Sequence, residues 1–386
     1  MKVISLSRVG QLLIVTIGLL AAGCAGLRIT PPADMTPIPE TWGCQLLIFG
    51  EGALWSVEYE EKSGFRLEDH YFDYDYYFLR IDPETNKVAA RVLIPKVPGW
   101  PNSIASGEGA VWAGVEGRTA KIYKIDPMTN RVVATIPVGS PRLFGRARCH
   151  LAAGEGAVWA ASGGILFRVD PRSNEVTSIP LSRNVDFVSV GAGAVWALNQ
   201  HFRGDTILRI DPRTHRLVAT IPAPPSLWIG QRITPYTRVV GRWMTMGAGG
   251  MWVLLESRGY PMGYATMVGL LDPKSNQFVT TIDLPDNLTA IDASGLTDID
   301  ARGAAIWAAA QEVELHYLIK EDTVYHWIVE IDSITQTVKR KVPCGSVSDG
   351  THTPKFLAVG ADAVWVYLPF EGIYRLPFGD GSSQRK

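Results

Sequence analysis

The sequence lacks a large excess of charge of either sign and contains few cysteines. Its net charge is −1 over 386 residues, whereas general binders of nucleic acid or of anionic membranes need an excess of basic residues. Its four cysteines include no Cys-x-x-Cys pair, so a zinc site is a poor prediction. A Gly-x-Ser-x-Gly elbow, a His-Glu-x-x-His motif and a phosphate loop are also missing. The sequence therefore predicts no nucleic-acid partner and offers no common enzyme motif.

What the sequence does contain is a repeat built around tryptophan. Its clearest copy is Gly-Glu-Gly-Ala-Val-Trp-Ala at residues 107–113, and a Gly-x-Gly-Ala-aliphatic-Trp core recurs with changes along the chain. The seven repeat tryptophans are Trp55, Trp112, Trp159, Trp196, Trp252, Trp307 and Trp365. Consecutive members are 37 to 58 residues apart, which is typical of propeller blades made of several short strands. The repeat predicts an all-β, seven-bladed β-propeller of four-stranded antiparallel blades over residues 44–378.

Two turn types recur in the repeat, and each has a physical cause. The Gly-x-Gly pair supplies the positive φ that a tight hairpin between the first two strands, a and b, requires. Asp-Pro-x-Thr/Ser-Asn builds the turn between the last two strands, c and d, because the Asp side chain binds backbone N–H groups and Pro fixes φ. These aspartates are Asp82, Asp126, Asp170, Asp211 and Asp272, with Asp332 in a copy that lacks Pro.

The repeated aspartates and the repeated tryptophans each have a structural and a functional interpretation. The aspartates could form a calcium-binding array, but they lie in separate blades, so we interpret them as turn residues. The tryptophans could stack on a cofactor, but an indole between two blades fills a large wedge of space, so we interpret them as blade core.

The seventh blade has three recognisable strands, after which the repeat stops. These strands are Phe356–Val359, Ala363–Leu368 and Gly372–Leu376, and residues 379–386 form a C-terminal tail. An open ring would leave an unpaired strand edge, which propellers usually close with a strand from the other end of the chain. We therefore predict a ring closed by an N-terminal strand, either Leu27–Thr30 or Met35–Ile38, that pairs with Gly372–Leu376.

The first residues indicate a segment that is not part of the fold. Lys2 and Arg8 accompany an apolar stretch, Leu12–Ala22, that is too short to span a bilayer with ease. The Leu-Ala-Ala-Gly-Cys run at residues 20–24 resembles a bacterial lipoprotein cleavage site. The resemblance implies cleavage before Cys24 and lipid on that residue, in the bacterial cell envelope. The alternative is an ordinary secretory signal with an incidental cysteine.

Residues 1–23 are the predicted signal peptide, and we expect the segment that follows them to be a tether. Residues 24–43 contain four prolines and few apolar residues, which predicts a semi-rigid chain. Ala25 follows the cysteine, so the usual sorting rule would send the protein to the outer membrane if the cell is Gram-negative. The other three cysteines are Cys44, Cys149 and Cys344. In an oxidising envelope they could form one disulfide and leave one free thiol, and the sequence does not choose the pair.

The lengths of the connections predict which face of the propeller binds. In a blade, the a–b and c–d turns lie on one face, which we call the turn face, and the b–c and d–a connections lie on the other. The a–b and c–d turns are tight here, whereas every long excursion is of the other two classes. The long b–c connections are residues 58–78, 255–266 and 311–326, and the long d–a connections are residues 138–149, 223–242 and 344–355. Insertions on one face of a repeat array usually mark the binding face, so we predict binding at this long-loop face.

The longest b–c connection, residues 58–78, has an unusual composition. It contains seven acidic and eight aromatic residues, and its candidate binding residues are Glu58, Tyr71, Tyr74 and Tyr76. Tyr-rich acidic surfaces suit sugars, peptides or cationic partners, because aromatic rings supply contact area at low entropy cost. The alternative is a solvated hairpin folded over its own blade.

A second set of candidates lies around the predicted mouth of the central channel. The residues ten positions before the repeat tryptophans, where strand a should approach the mouth, are Gln45, Asn102, Cys149, Asp186, Arg242, Thr297 and Lys355. None is aliphatic, and Glu58, Glu116 and Glu256, three or four positions after a tryptophan, should approach the same mouth. This polar ring could hold a small polar ligand or a metal, or it could be the ordinary wetting of a channel rim. We expect no resident metal or cofactor.

The repeats resemble those of bacterial YVTN-type and virginiamycin B lyase-like propellers. The resemblance is carried by Gly-Glu-Gly-Ala-Val-Trp-Ala and by the Arg-Ile-Asp-Pro segment at residues 209–222, and it extends over most of the predicted propeller. For the lyases, it implies elimination on a cyclic depsipeptide by a His and a Glu with Mg²⁺. In that pattern the His lies ten residues before a repeat tryptophan and the Glu four after it. Glu116 and Glu256 stand at the Glu position, but Asn102 and Arg242 stand at the matching His positions.

The catalytic pair is therefore missing in register. The nearest imidazole, His150, lies nine residues before Trp159, and Gly163 stands where the Glu would be. We predict a non-enzymatic envelope propeller that binds an envelope protein or a small polar ligand through its long-loop face. One alternative is a virginiamycin B lyase-like or other enzyme at the channel mouth, with Glu116, Glu256 and His150 as acid–base groups and Mg²⁺ as cofactor. Another is an architectural subunit of an envelope complex.

Overall fold

A computed structural model gives the conformation of most of the chain. It describes residues 34–66, 71–95, 97, 99–139, 147–181, 185, 187–199, 205–224, 228–229, 232–233, 237–259, 263–283, 296–302, 305–314, 323–347, 356–368 and 371–378. The predicted signal peptide, Cys24, the segment Leu27–Thr30 and the C-terminal tail lie outside these residues. Within these ranges no helix has the length and hydropathy that a membrane span requires.

The first half of the chain forms a short strand and four sheets. The short strand is β1 (Thr36–Pro37). Blade 1 contains β2 (Cys44–Gly50), β3 (Ala53–Arg66), β4 (Tyr71–Asp82) and β5 (Lys87–Ile94). Blade 2 contains β6 (Pro101–Gly107), β7 (Ala110–Val115), β8 (Ala120–Asp126) and β9 (Arg131–Val138). Blade 3 contains β10 (Cys149–Gly154), β11 (Ala157–Ser162), β12 (Ile165–Val169) and β13 (Val176–Ile179). Blade 4 contains β14 (Phe187–Gly191), β15 (Ala194–Asn199), β16 (Thr206–Ile210) and β17 (Leu217–Pro222).

The second half adds a small hairpin and three more sheets. The hairpin consists of β18 (Trp228–Ile229) and β19 (Arg232–Ile233). Blade 5 contains β20 (Thr237–Gly247), β21 (Gly250–Gly259), β22 (Gly263–Asp272) and β23 (Gln277–Asp283). Blade 6 contains β24 (Leu296–Arg302), β25 (Ala305–Glu314), β26 (Thr323–Asp332) and β27 (Thr337–Val347). Blade 7 contains β28 (Phe356–Val359), β29 (Ala363–Leu368) and β30 (Gly372–Pro377), and its fourth strand is β1.

These seven antiparallel sheets form a closed ring. Within blades 1 to 6 the strands are hydrogen-bonded in chain order, from strand a to strand d. Each strand a contacts the first strands of the two neighbouring blades, and β28 of blade 7 contacts β2 of blade 1. The strands a therefore line the centre of the ring. The structure confirms the predicted seven-bladed β-propeller.

The ring is closed by the N-terminal strand β1. Thr36 and Pro37 pair with Arg375 and Tyr374 of β30, so of the two predicted segments the structure confirms Met35–Ile38. The backbone N–H of Ile38 extends this pairing to Ile373 O at 2.8 Å. The next turn is tied to the same strand, because Ile373 N donates to the Thr41 hydroxyl (2.9 Å), which donates to Ile38 O (2.8 Å).

The repeat tryptophans fill the space between neighbouring blades. All seven indole side chains are fully buried. In blades 1 to 4 the indole N–H donates to the carbonyl of the Gly that ends strand a, as in the 3.0 Å bond from Trp112 to Gly107. Gly107 has a φ of 145°, and a Cβ there would lie 3.2 Å from Ala153 O of the next blade. Glycine is thus required where one blade's turn approaches the next blade.

The c–d turns are held by the six repeat aspartates. Each carboxylate accepts hydrogen bonds from the backbone N–H groups two and three residues later, which for Asp126 belong to Met128 (2.8 Å) and Thr129 (3.4 Å). Asn occupies the positive-φ position that ends four of the six turns. These backbone hydrogen bonds lower the pKa of each carboxyl below its usual value. Among the described residues, no three His, Cys, Asp or Glu side chains are grouped to hold a metal ion.

We expect these carboxylates to make the propeller less stable in acid. Because their folded-state pKa values are depressed, their stabilisation is complete above the unfolded value near 3.8 and is lost as the pH falls through the folded values. Replacing Asp126 by Asn keeps an oxygen acceptor but removes the titration. The drop in melting temperature from about pH 6 to about pH 3 should therefore be smaller in Asp126→Asn than in the intact chain. An equal drop would show that this carboxylate does not contribute.

Candidate binding face

The turn face is occupied by short turns that bond to one another. In the a–b turns, the Glu108 carboxylate of blade 2 accepts from Gly156 N of blade 3, and Glu155 accepts from Gly193 N of blade 4, each at 2.9 Å. These carboxylates lie at the positions between the two glycines of the repeat. The polar groups of the repeat on this face therefore join neighbouring blades.

The long-loop face carries extensions of strands b and c. In blades 1, 5 and 6 the predicted long b–c connections are antiparallel hairpins formed by β3–β4, β21–β22 and β25–β26. Their outermost described pairs are Arg66↔Tyr71, Gly259↔Gly263 and Glu314↔Thr323. The backbone pairing of strands b and c continues through these segments, without a third strand in blade 1, beside strand a up to Ser257 in blade 5, and beside strand d up to Val324 in blade 6.

The extension of blade 1 is the one whose side chains are best described. Strand β2 pairs with β3 only as far as Glu58, and β5 pairs with β4 only as far as Tyr76. Beyond these positions β3 and β4 pair only with each other. Residues 59–66 and 71–75 thus form a two-stranded extension, which we call the blade-1 ribbon. Its two sides differ because successive side chains of a strand point to opposite sides.

One side of the ribbon is charged and internally paired. Arg91 of β5 bonds to Glu58 through Nε (2.6 Å) and to Glu60 through Nη2 (3.1 Å). Its guanidinium also lies 3.8 Å from the centroid of the Tyr77 ring. The predicted site residue Glu58 therefore belongs to an ion-pair network of its own blade.

The other side of the ribbon carries an aromatic cluster. Tyr59, Tyr74 and Tyr76 lie on this side, and Trp100 joins them from the connection between blades 1 and 2. The ring centroids of Tyr74 and Trp100 are 5.2 Å apart, and those of Tyr59 and Tyr74 are 5.4 Å apart. Tyr76 is buried, whereas Tyr59 is 38% exposed. The structure thus brings together two of the predicted tyrosines, Tyr74 and Tyr76, and places them beside Trp100.

The inner strands also enclose a cavity of about 150 Å³ at the long-loop end of the channel. Eight of the eleven described residues that line it are apolar, among them Phe187 and Met244, and the polar ones are Asn102, Ser103 and His150. Ser103 is already engaged, because its hydroxyl accepts from Leu151 N at 2.9 Å. The described lining of the cavity thus combines apolar side chains with three polar ones.

Three of the seven residues ten positions before the tryptophans have described side chains, namely Gln45, Asn102 and Cys149. Cys149 is fully buried in the core between blades 2 and 3. Asn102 borders the cavity, but its carboxamide accepts from Cys149 N (3.2 Å) and donates to Gly114 O (3.0 Å), and Gln45 is half-buried. The physical reason is that strand a turns its unpaired backbone edge to the channel. Side chains at this position can then point between blades.

The remaining predicted site residues are only partly described. Asp186 and Lys355 lie outside the described residues. Arg242 lies on β20, Thr297 on β24, Glu256 on β21 and Tyr71 on β4, and for these four only the backbone is described.

Only two of the three acid–base candidates, His150 and Glu116, have described side chains, and only His150 is among the described residues that line the cavity. His150 is buried, with its ring centroid 4.3 Å from that of Phe187. Glu116 lies beside the aromatic cluster, where its backbone N–H donates to Trp100 O (3.0 Å). None of the described side chains that line the cavity is a carboxylate.

The three cysteines of the propeller are separate and buried. Cys44, Cys149 and Cys344 are free thiols in three different core clusters. The structure therefore does not contain the disulfide that the sequence allowed, because each thiol packs in a different part of the ring. Burial raises the pKa of each thiol to about 12.

We expect these thiols to resist alkylation in the native protein. The thiolate is the reactive form, and a pKa about 3 to 4 units above that of an exposed thiol lowers its fraction at neutral pH roughly a thousandfold or more. Iodoacetamide should leave all three cysteines unmodified until the chain is denatured, as measured by mass spectrometry of the peptides. Rapid labelling of any one of them in the folded chain would contradict the buried placement.

Comparison with known proteins identifies the fold and no family. No protein-family model matches the chain, and no curated protein matches it. The solved structure of the Neurospora crassa Pan2 WD40 domain is similar over 92% of this chain and 98% of that chain, with 11% sequence identity and a TM-score of 0.53. Kuenenia stuttgartiensis hydrazine synthase aligns over 71% of this chain and 74% of that chain, with 12% identity and a TM-score of 0.49. The likeness to the Pan2 domain supports the β-propeller fold alone.

Proposed function

We propose that this chain is a non-enzymatic binding protein of the bacterial cell envelope, anchored by lipid on Cys24, whose long-loop face binds a protein partner. The observation that carries the proposal is the blade-1 ribbon, which extends past its sheet and keeps part of an aromatic cluster exposed. An isolated two-stranded ribbon is only marginally stable in water. A partner that covers the exposed rings would therefore stabilise both the ribbon and the complex.

The contrast between the two faces supports the same assignment. On the turn face, Glu108 and Glu155 use their carboxylates to bond adjacent blades. On the long-loop face, strands b and c of blades 1, 5 and 6 continue as hairpins, and in blade 1 this hairpin extends beyond the pairing of its sheet. Binding residues are commonly carried by such additions to a rigid scaffold.

The enzyme alternative has less support. A virginiamycin B lyase-like elimination would need an imidazole and a carboxylate close enough to act on one substrate. His150 borders the cavity, whereas the backbone of Glu116 is bonded beside the aromatic cluster. We therefore assign no acid–base role to either residue.

A shortened ribbon tests the proposal. Glu60 and Asp75 are paired across the ribbon, so replacing residues 61–74 by Asn-Gly should give a two-residue hairpin on an intact blade. In pull-downs from solubilised membranes, the intact chain should capture a partner that the shortened chain does not capture. Glu108→Gln on the turn face is the control and should retain the partner. Equal capture by the shortened chain would contradict binding through this ribbon.

The anchor is tested separately. Cys24→Ser removes the only sulfur at which the predicted lipid could be attached, so this variant should move from the membrane fraction to the soluble fraction. If the variant stays with the membrane to the same extent as the intact chain, the lipid-anchor part of the proposal fails.

A further inference from the structure

We propose that the aromatic side of the blade-1 ribbon recognises a cationic side chain of the partner protein, the ammonium of a lysine or the guanidinium of an arginine. The contact would be made by Tyr59, Tyr74 and Trp100, with Glu61 beside them. This inference rests on the proposed function and specifies the chemistry of its contact.

The rings of Tyr59, Tyr74 and Trp100 are arranged as a corner. The Tyr59 ring lies at 88° to the Tyr74 ring and at 71° to the Trp100 ring. Because these rings meet edge to face, their flat faces point in different directions and are not stacked on one another. The face of an aromatic ring carries negative potential and attracts a cation within about 6 Å of the centroid. Since Tyr59 remains 38% exposed, a side chain from solvent can reach this corner.

The charges on the two sides of the ribbon are not equivalent. On the charged side, Arg91 pairs with both Glu58 and Glu60, and Lys62 pairs with Asp75 at 2.6 Å. Glu61 is exposed, and no ion pair joins it to a cationic side chain that the structure describes. Among the described acids Glu58, Glu60, Glu61 and Asp75, the one on the aromatic side is therefore the one without a described cationic partner.

Glu61 belongs to the aromatic corner by register and by its electrostatic effect. It pairs with Tyr74 across the ribbon, which places the two side chains on the same side. Burial and the neighbouring Glu61 carboxylate raise the pKa of the Tyr74 hydroxyl above its usual value. A cation bound at the corner would thus contact ring faces and a carboxylate together.

The surrounding charge favours a cation over a neutral ligand. Residues 58–78 contain seven acidic side chains, and Lys62 and Arg66 are their only lysine and arginine. The resulting negative potential attracts basic segments and repels acidic ones. A neutral sugar could stack on the rings but would gain no charge attraction from the Glu61 carboxylate. If the aromatic cluster only supported the ribbon, the burial of Tyr76 would be explained, but the exposure of Tyr59 and Glu61 would not.

The test uses a defined cationic probe and a matched pair of charge variants. A fluorescein-labelled peptide of alternating glycine and lysine is titrated with the purified full-length protein at low ionic strength, and binding is read by fluorescence anisotropy. The same peptide with acetylated lysines has the same backbone without the charge. Glu61→Gln and Tyr59→Ala alter the corner. Glu60→Gln removes the same charge from the opposite side, where Arg91 retains Glu58 as its partner.

We expect acetylation to weaken binding at least about tenfold, and Glu61→Gln and Tyr59→Ala to weaken it about fivefold or more. Glu60→Gln should stay within about twofold of the intact chain. Equal losses in Glu60→Gln and Glu61→Gln would mean that only the general charge of the ribbon matters, and the corner would be rejected. Failure of the unmodified peptide to bind, or equal binding of the acetylated peptide, would also overturn the inference.

The membrane pull-down separates this inference from the proposed function. If the shortened ribbon loses the partner while Glu61→Gln and Tyr59→Ala retain it, the ribbon binds by other contacts and the cation site is wrong. If the peptide behaves as expected but the shortened chain keeps its membrane partner, the cation site stands and the proposed partner contact is wrong.

Discussion

Replacing Trp112 by alanine should lower the free energy of unfolding by about 3–5 kcal/mol, because the deletion of a large buried aromatic side chain leaves a cavity that the core fills only in part. Trp112 is fully buried among side chains of blades 2 and 3. Its indole N–H also donates to Gly107 O at 3.0 Å, so the substitution leaves that carbonyl without this donor. Urea or guanidinium unfolding, followed by circular dichroism, measures the change.

Trp42 provides the matched control. This tryptophan is 71% exposed and belongs to no repeat, so Trp42→Ala should change stability by no more than about 0.5 kcal/mol. A loss at Trp112 no larger than the loss at Trp42 would mean that the repeat tryptophan does not hold the blades together.

Loss of the closing strand should have the second large effect. Met35 and Ile38 are both buried, and they flank the two residues of β1 that pair with β30. Truncating one such side chain to alanine costs about 2–5 kcal/mol, so Met35→Ala combined with Ile38→Ala should cost more than either alone. Because β30 then loses a stable neighbour on one side, amide exchange should become faster in β30 than in the strands of blade 3.

The control for the closing strand is a large exposed aliphatic residue. Ile334 lies in the c–d turn of blade 6 and is 71% exposed, so Ile334→Ala should leave both stability and exchange nearly unchanged. If the double variant unfolds like the intact chain, with β30 equally protected, then β1 does not close the ring.

The fold could be predicted because the same short sequence pattern occurs once in each blade. All seven copies contain the tryptophan, five contain the Gly-x-Gly turn and six contain the Asp-x-x-Thr/Ser turn, and each of these acts on residues close to it in sequence. The closing strand followed from a missing strand in blade 7, which left two candidate segments. Burial of Met35 and Ile38 on either side of β1 is what the structure adds. Local chemistry was sufficient for these elements.

The ribbon could have been predicted more closely than it was. Residues 58–78 were interpreted as the longest b–c connection, with binding and a solvated hairpin folded over its own blade as the two alternatives. Yet Tyr74 and Tyr76 alternate with Asp73 and Asp75, which is the period of a strand with two different sides. The sequence contained that signal. It contained no signal for Trp100, whose place beside the ribbon depends on how blade 2 follows blade 1.

The mouth of the channel could not be predicted by counting from the tryptophan. Asn102 and His150, at ten and nine positions before their tryptophans, both border the cavity, whereas Cys149 at ten positions lies in the core. Which side chains reach the channel depends on the angle at which each inner strand passes it. That angle is set by the packing of seven blades and has no counterpart in a single repeat.

The most direct test of the account is hydrogen exchange of the chain in its native membranes compared with the purified chain in detergent. The repeat forms the scaffold, and we propose that the partner binds the long-loop face. We therefore expect amide exchange in native membranes to be slower in the blade-1 ribbon, residues 59–66 and 71–75, and unchanged in the a–b and c–d turns. Protection centred on those turns, with the ribbon exchanging equally in both states, would contradict it.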